Sequence, residues 1–455
     1  MDNELIIKAL EYVDNKQFQQ LKALFSEMQA ADIQELFEEL TESQVIVVFR
    51  LLPKELAAEV FVEMDSDHQE ILINNFSDKE LKSVLDELFA DDTADIIEEM
   101  PANVVKRILA NSKAEMRKTV NELLKYPKDS AGSIMTTEYV ALRRNMTVSQ
   151  AFELIRKVAI DKETIYTCYV RDTDRKLIGL VTAKTLMISP LDAVIEDIME
   201  SNIISASTMD DKEDVAKMFE KYDFLALPVV DNENRIVGIV TVDDAIDVIH
   251  EELEEDFAKM NAIMPNEKEY LRTGVFELFV KRIPWLMFLM VSATFTGMII
   301  DSFESALSGC AILVAFIPML MGTGGNSGSQ SSVTVIRGLS LGEVEFKDLI
   351  KVVWKEIRVA FLCGLALALI NFVKIMIVDK AMMGDEITVT VALVICITLF
   401  VTVLAAKLIG CVLPMLADKI GFDPAVMASP FITTLIDAVS LIVYFEIAQM
   451  VLGIG

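Results

Sequence analysis

The chain has 455 residues, a formal net charge of -29 and 53% hydrophobic residues. Acid and apolar residues segregate: Glu and Asp crowd the chain before Lys281, and from Pro284 onward it is mostly apolar with isolated charges. The acidic half excludes binding to nucleic-acid phosphates and suits cationic partners, while the scattered cysteines give neither zinc spacing nor a disulfide framework.

The opening "MDNELIIKAL" has no basic n-region and no apolar h-region, so no signal peptide is predicted. Residues 1–128 show helical periodicity and no glycine. Apolar residues close successive helices near Met28, Leu40, Leu52, Met64, Phe76, Leu88 and Met100, a step of twelve. Turn or cap residues follow at Pro53, Asp65, Ser77, Asp91 and Pro101. Short antiparallel helices stacked as an acidic all-α solenoid fit this step; a plain helical bundle fits it equally.

Residues 129–247 hold a second repeat, with units 129–195 and 196–247. "SIMTTEYVALRRNMTVSQAFELIRK" parallels "DIMESNIISASTMDDKEDVAKMFEK", and "KLIGLVT" parallels "RIVGIVT". Each unit reads as strand, helix, two β-rich runs, then helix. The pair resembles tandem CBS modules of α/β type, which often bind adenine nucleotides such as ATP. That likeness implies Asp244 as a ribose acceptor in the second unit, where the first unit has Thr185.

The run "VDDAIDVIHEELEEDF", residues 242–257, holds eight acids and no Lys or Arg. It is either a solvated face or a helix awaiting a neutralising divalent cation, since like charges at i,i+4 repel. An acidic connecting helix is predicted over 248–280.

Residues 281–455 are predicted to cross a lipid bilayer five times, at about 284–303, 307–335, 353–378, 386–416 and 424–450, each above the ~20 residues required. Lys281 and Arg282 precede the first span, and Arg337, Lys347, Lys351, Lys355 and Arg358 lie between the second and third. This predicts a cell-membrane protein with its N-terminus cytoplasmic and its C-terminus outside.

Asp437 falls near the centre of the fifth span, where a charge costs ~2.5–3.5 kcal/mol. It either pairs with Lys374 or Lys407, keeps a proton, or serves a cation. Ser429, Thr433 and Asp437 recur every four residues and so share one face, which Ser440 extends. Pro430 is expected to break the helix and free a carbonyl near Val426. Oxygen ligands without Cys or His suit a hard cation. In the second span, "PMLMGTGGNSGSQSSVTVIRGL" interrupts an apolar run with glycines, Asn326 and Gln330. The glycines permit either close helix packing or an unwound backbone beside the Asp437 wall. One carboxylate per chain is little for a divalent ion; a symmetric homodimer would place two across one axis, enough for Mg²⁺ that keeps its waters.

The order of these parts resembles the MgtE family of magnesium channels along essentially the whole chain, most specifically in "GGNSGSQSSVTVIRGL" and "FDPAVMASPFITTLIDAVSLIVYF". The resemblance implies a homodimer with its pore between the chains, Asp437 as the central carboxylate, and Ser429 and Thr433 on the pore wall. It also implies closure by regulatory Mg²⁺. The acids implied are Asp91 and Asp95, then Glu213, Asp223, Asp243, Asp244 and Asp247, then Glu252, Glu255 and Asp256 of a plug helix facing Asp423. Two rival readings are a broader Mn²⁺ or Co²⁺ carrier and a non-conducting, membrane-anchored CBS sensor. Histidines only at 68 and 250, both expected to face solvent, leave no catalytic constellation and argue against an enzyme.

Overall fold

The computed structural model describes residues 2–265, 270, 273–303, 311–382, 387–427 and 429–453. The chain forms two compact units, Met1–His250 and Glu251–Gly455.

The first unit opens with ten short helices, α1 (Asp2–Asp14) to α10 (Ala114–Leu123). Helix α1 packs on α3 (Ala30–Glu38), α3 on α5 (Lys54–Glu63), α5 on α7 (Asp78–Leu85) and α7 on α9 (Ala102–Asn111). Helix α4 (Glu42–Phe49) packs on α6 (Ser66–Asn75). Contact between alternate helices is the stacking of a solenoid, because each helix buries one face on the turn before it and one on the turn after. The twelve-residue step marks the buried helix ends: Met28, Leu40, Met64, Phe76, Leu88 and Met100 are all buried, and Leu52 is half-buried. Asp65 caps α6 by accepting from the His68 amide at 2.8 Å, and Ser77 caps α7 by accepting from Glu80. His68 does not face solvent as expected. Its ring is largely buried, with Nδ1 2.9 Å from Asp65. Asp91 is not a cap residue either; it sits inside the first turn of α8 (Ala90–Glu99), behind the N-cap Phe89.

Two matched sheets follow. In the first, β1 (Val140–Arg143) runs parallel to β2 (Thr167–Arg171), which pairs antiparallel with β3 (Leu177–Thr182). In the second, β4 (Ala206–Ser207), β5 (Ala226–Val230) and β6 (Ile236–Thr241) repeat that order and register. Each unit places a helix after its first strand, α11 (Val148–Val158) and α14 (Lys212–Tyr222). The repeated glycines have one reason. A Cβ on Gly179 would lie 2.5 Å from the Met199 sulfur, and one on Gly238 would lie 2.7 Å from that of Met135. Met135 and Met199 belong to the repeated "SIM" and "DIM", so each unit's leading segment packs on the other unit's glycine. The backbone confirms the exchange: Thr136 N–H donates to Ile239 O at 2.8 Å, and Leu180 N–H to Glu200 O at 3.0 Å.

Helix α15 (Val242–Met260) begins in the first unit and ends in the second. It is shorter than the connecting helix expected over 248–280, because residues 261–265 leave the helix with Ala262 at φ 54°. The second unit then holds α16 (Val275–Ser302), α17 (Ile317–Ser340), α18 (Leu349–Lys374), α19 (Val389–Lys419) and α20 (Ser429–Leu452). Helix α18 continues to Met382 in wider turns. Among the described residues, four helices are long and apolar enough to span a membrane: Val275–Ser302, Phe346–Met382, Val389–Lys419 and Pro430–Leu452. Helix α17 has 24 residues but carries the Gly- and Ser-rich stretch that dilutes its apolarity. The expected start of the second span at 307 lies outside the described residues. Helices α17, α18 and α20 all pack on α19, and α17 also packs on α20.

Candidate functional site

The glycines of α17 are helical, not unwound. They serve as flat contact surfaces. A Cβ on Gly324 would lie 2.8 Å from Thr402 and 2.9 Å from the Ser440 hydroxyl, and one on Gly325 would lie 3.1 Å from Thr433. At Gly328 a Cβ would lie 2.0 Å from Ile436, and at Gly410 it would lie 2.3 Å from the Gly328 carbonyl. Close packing by small residues therefore accounts for the glycines. Asn326 and Gln330 take the other side of α17 and are exposed.

Helix α20 brings the polar stripe alongside. Pro430 does not break the helix. It lies in the first turn, where no N–H is needed, and its carbonyl accepts from the hydroxyls of Thr433 and Thr434, each at 2.9 Å. Thr433 and Asp437 are half-buried. Ser440 departs from the stripe: it is buried against Gly324 and donates to Ile436 O at 2.6 Å. The side chain of Ser429 lies outside the described residues.

Among the described residues Asp437 has no hydrogen-bond or ion-pair partner. Both lysines that were candidates for it are engaged elsewhere. Lys374 lies 2.9 Å from Asp379, and Lys407 lies 3.9 Å from Glu356. A half-buried, unpaired carboxylate on an apolar helix is costly unless it meets a proton or a cation.

A second carboxylate cluster lies in the first unit, around α8 and the start of α15. Asp91 is 9% exposed. The Thr136 hydroxyl lies 3.1 Å from Asp91 and 2.9 Å from Glu138. It has one proton to donate and satisfies only one of them at a time. Burial, then Asp92 and Asp244, pushes the Asp91 carboxyl well above its usual range. Burial pushes Glu163 up to about 7, with Asp92 and Asp243 adding to it. Asp244 is pushed up to about 6 by burial, against bonds from Thr241 that lower it. Asp92 caps Phe89 N–H at 3.2 Å, which distinguishes it from Asp91. Asp95 and Asp243 are exposed at the rim. Glu138 and Glu163 carry no sequence signal, because each joins the cluster only through the fold.

Raised carboxylate pKa values mean that the folded unit holds protons the unfolded chain has released. Stability then falls as pH rises from about 4 through about 7. The expected result in chelator is a lower melting temperature for the first unit at pH 8 than at pH 6. Millimolar Mg²⁺ should erase the difference by replacing the protons. Differential scanning fluorimetry of the whole protein checks this, and a pH-independent melt would remove the strain assigned to the cluster.

The remaining acids are dispersed. Glu213 pairs with Lys217 at 2.8 Å. Asp223 ends α14 in left-handed conformation, φ 54°, and is exposed, as is Asp247. Glu252, Glu255 and Asp256 are half-buried on α15. Asp256 lies 3.3 Å from the Ser340 hydroxyl at the end of α17. Between Glu255 and Asp423 stands Lys259, whose ammonium lies 2.6 Å from the first and 2.7 Å from the second. Among the described residues no three His, Cys, Asp or Glu side chains converge to hold a metal ion.

Residues 317–447 match the MgtE family model, described as a divalent cation transporter, and 28–129 match the MgtE intracellular N domain. Residues 131–191 and 195–251 match the CBS domain. The magnesium transporter MgtE of Thermus thermophilus is 33% identical over 456 residues, spanning 99% of each chain. That of Bacillus subtilis is 32% identical, over 98% of this chain and 97% of its own. Among solved structures, the cytosolic domain of the Mg²⁺ channel MgtE in complex with ATP is 35% identical, with a TM-score of 0.51. It covers 53% of this chain and 99% of its own.

Proposed function

The chain belongs to the MgtE family of magnesium transporters, membrane proteins that are not enzymes, and on that premise we propose that it is a Mg²⁺ channel gated by Mg²⁺. The observation that carries the reading is Asp437: a half-buried carboxylate on a membrane helix, without a partner among the described residues, beside a helix whose polar Asn326 and Gln330 are left exposed. A single chain offers too few donors there for a divalent ion. A homodimer with the pore at its twofold axis supplies two Asp437 carboxylates, flanked by Thr433, Ser429, Asn326 and Gln330. The ion passes with most of its water retained, since Mg²⁺ dehydrates reluctantly. In this reading α17 is the second of five spans, joining the four apolar helices, with the N-terminus cytoplasmic and the C-terminus outside.

Gating follows from charge. The acids assigned to regulatory Mg²⁺ are Asp91, Asp95, Glu213, Asp223, Asp243, Asp244 and Asp247, with Glu252, Glu255 and Asp256 on α15; like charges brought together without a cation repel. Bound Mg²⁺ bridges them and holds α15 against the loop of Asp423 as a plug. The solved relative that holds ATP supports a nucleotide at the CBS pair, where Asp244 is the ribose acceptor.

Flux into liposomes tests the reading. Mg²⁺ should enter faster than Ca²⁺, Mn²⁺ or K⁺, with the protein running as a dimer in detergent by native mass measurement. Equal rates for Mn²⁺ would favour a broad carrier, and absence of any flux would favour the sensor.

A further inference from the structure

The membrane helices bury a second charged group that conduction through Asp437 does not use. Glu356, on α18, is 12% exposed at its side chain. Its carboxylate accepts a hydrogen bond from Ser331 of α17 and lies 3.9 Å from the ammonium of Lys407 on α19. Lys407 is 5% exposed, so it does not snorkel toward the membrane surface. Two charges at this depth each carry an insertion cost, and a well-packed apolar pair would fill the space without it. Their position suggests what they supply.

Ser331 follows Gly328 by less than one turn, and Lys407 lies between Ala406 and Gly410. Those are the residues at the closest backbone approach of α17 and α19: a Cβ on Gly328 would lie 3.1 Å from the Ala406 carbonyl. On its next side, Gly328 bears on Ile432 and Ile436, the latter adjacent to Asp437. A glycine-to-glycine contact is close but smooth. It fixes the distance between two helices and resists sliding along them poorly. A buried polar link one turn away has a single satisfied arrangement and therefore sets register.

We propose that Glu356 and Lys407 are positioning residues of the ion pathway: together with Ser331 they lock the axial register of α17 against α18 and α19, and so place Asn326 and Gln330 relative to Asp437. This rests on the channel reading above. A parent protein that moves no ion in liposomes refutes that reading before the variants are compared.

The test uses the full-length protein in liposomes with four variants: E356Q, K407M, the neutral double E356Q/K407M, and the exchanged pair E356K/K407E. Half-saturating Mg²⁺ and the Mg²⁺-to-Ca²⁺ flux ratio are measured, with melting temperature read alongside. Each single variant should raise half-saturating Mg²⁺ by about tenfold, the scale seen when a metal site loses an outer support, and should lower the flux ratio. The neutral double should recover melting temperature, having no orphaned charge, yet keep the poor ion discrimination. The exchanged pair should recover both. If the singles discriminate ions like the parent, or if the neutral double restores discrimination with stability, the pair is packing alone and the proposal fails. Should the singles not fold, the two double variants still decide between these outcomes.

Discussion

Asp437→Ala is expected to abolish Mg²⁺ uptake while the protein still folds and keeps the assembly state of the parent. The expectation has two independent parts. For conduction, the substitution removes the half-buried carboxylate of α20, which has no partner among the described residues, and the proposed twofold axis would double the loss. A carboxylate and a cation ~4 Å apart at an effective dielectric of ~20 attract by ~4 kcal/mol per unit charge. Losing that much stabilisation leaves neutral oxygens that compete poorly with water for Mg²⁺. Folding is a separate matter. Among the described residues Asp437 has no partner to orphan, and alanine relieves an insertion cost of ~2.5–3.5 kcal/mol. Yield and elution volume should therefore match the parent, and Asp437→Asn, with shape kept and charge gone, should also lose most flux. Dye-reported Mg²⁺ entry into liposomes, beside size-exclusion chromatography, measures both. A well-folded alanine variant that conducts like the parent would end the assignment.

The variant Asp223→Asn, Asp247→Ala, Asp256→Ala should keep conducting at millimolar internal Mg²⁺, where the parent is expected to close. Asn is preferred at 223 because that residue caps α14 with φ 54°, a conformation that Asn tolerates and Ala does not. The three acids sit on three parts of the proposed gate: the second CBS unit, the body of α15 and its far end. Closure by Mg²⁺ requires that the ion bind the closed arrangement better than the open one. Several weak sites acting together make the response steep, so removing three should shift and flatten it. Lys259 sharpens the expectation. Its ammonium already neutralises Glu255 and Asp423, so that contact alone does not make closure depend on Mg²⁺. Patch currents against internal Mg²⁺ decide the matter. Identical closing concentrations in parent and variant would make these acids a solvated face.

Much of the architecture was legible from the sequence, because it depends on period and composition. The twelve-residue step marked buried helix ends from Met28 to Met100, since each helix must turn its apolar face inward at a regular interval. The paired "KLIGLVT" and "RIVGIVT" marked β3 and β6, since matched strands need matched glycines. Hydropathy marked the membrane helices, and Asp437 stood out because a charge there is expensive. What the sequence left open was every question of partnership. Whether Asp437 paired with Lys374 or Lys407 depended on which helices lie side by side, and α18 supplied Glu356 to Lys407. The role of the α17 glycines depended on Gly410 and Ile436 approaching from other helices. Glu138 and Glu163 joined the buried acids only because the sheet brought them to α8. Periodicity is a property of one element and can be read along the chain. Contact between elements distant in sequence leaves no period behind, so only the tertiary structure decided it.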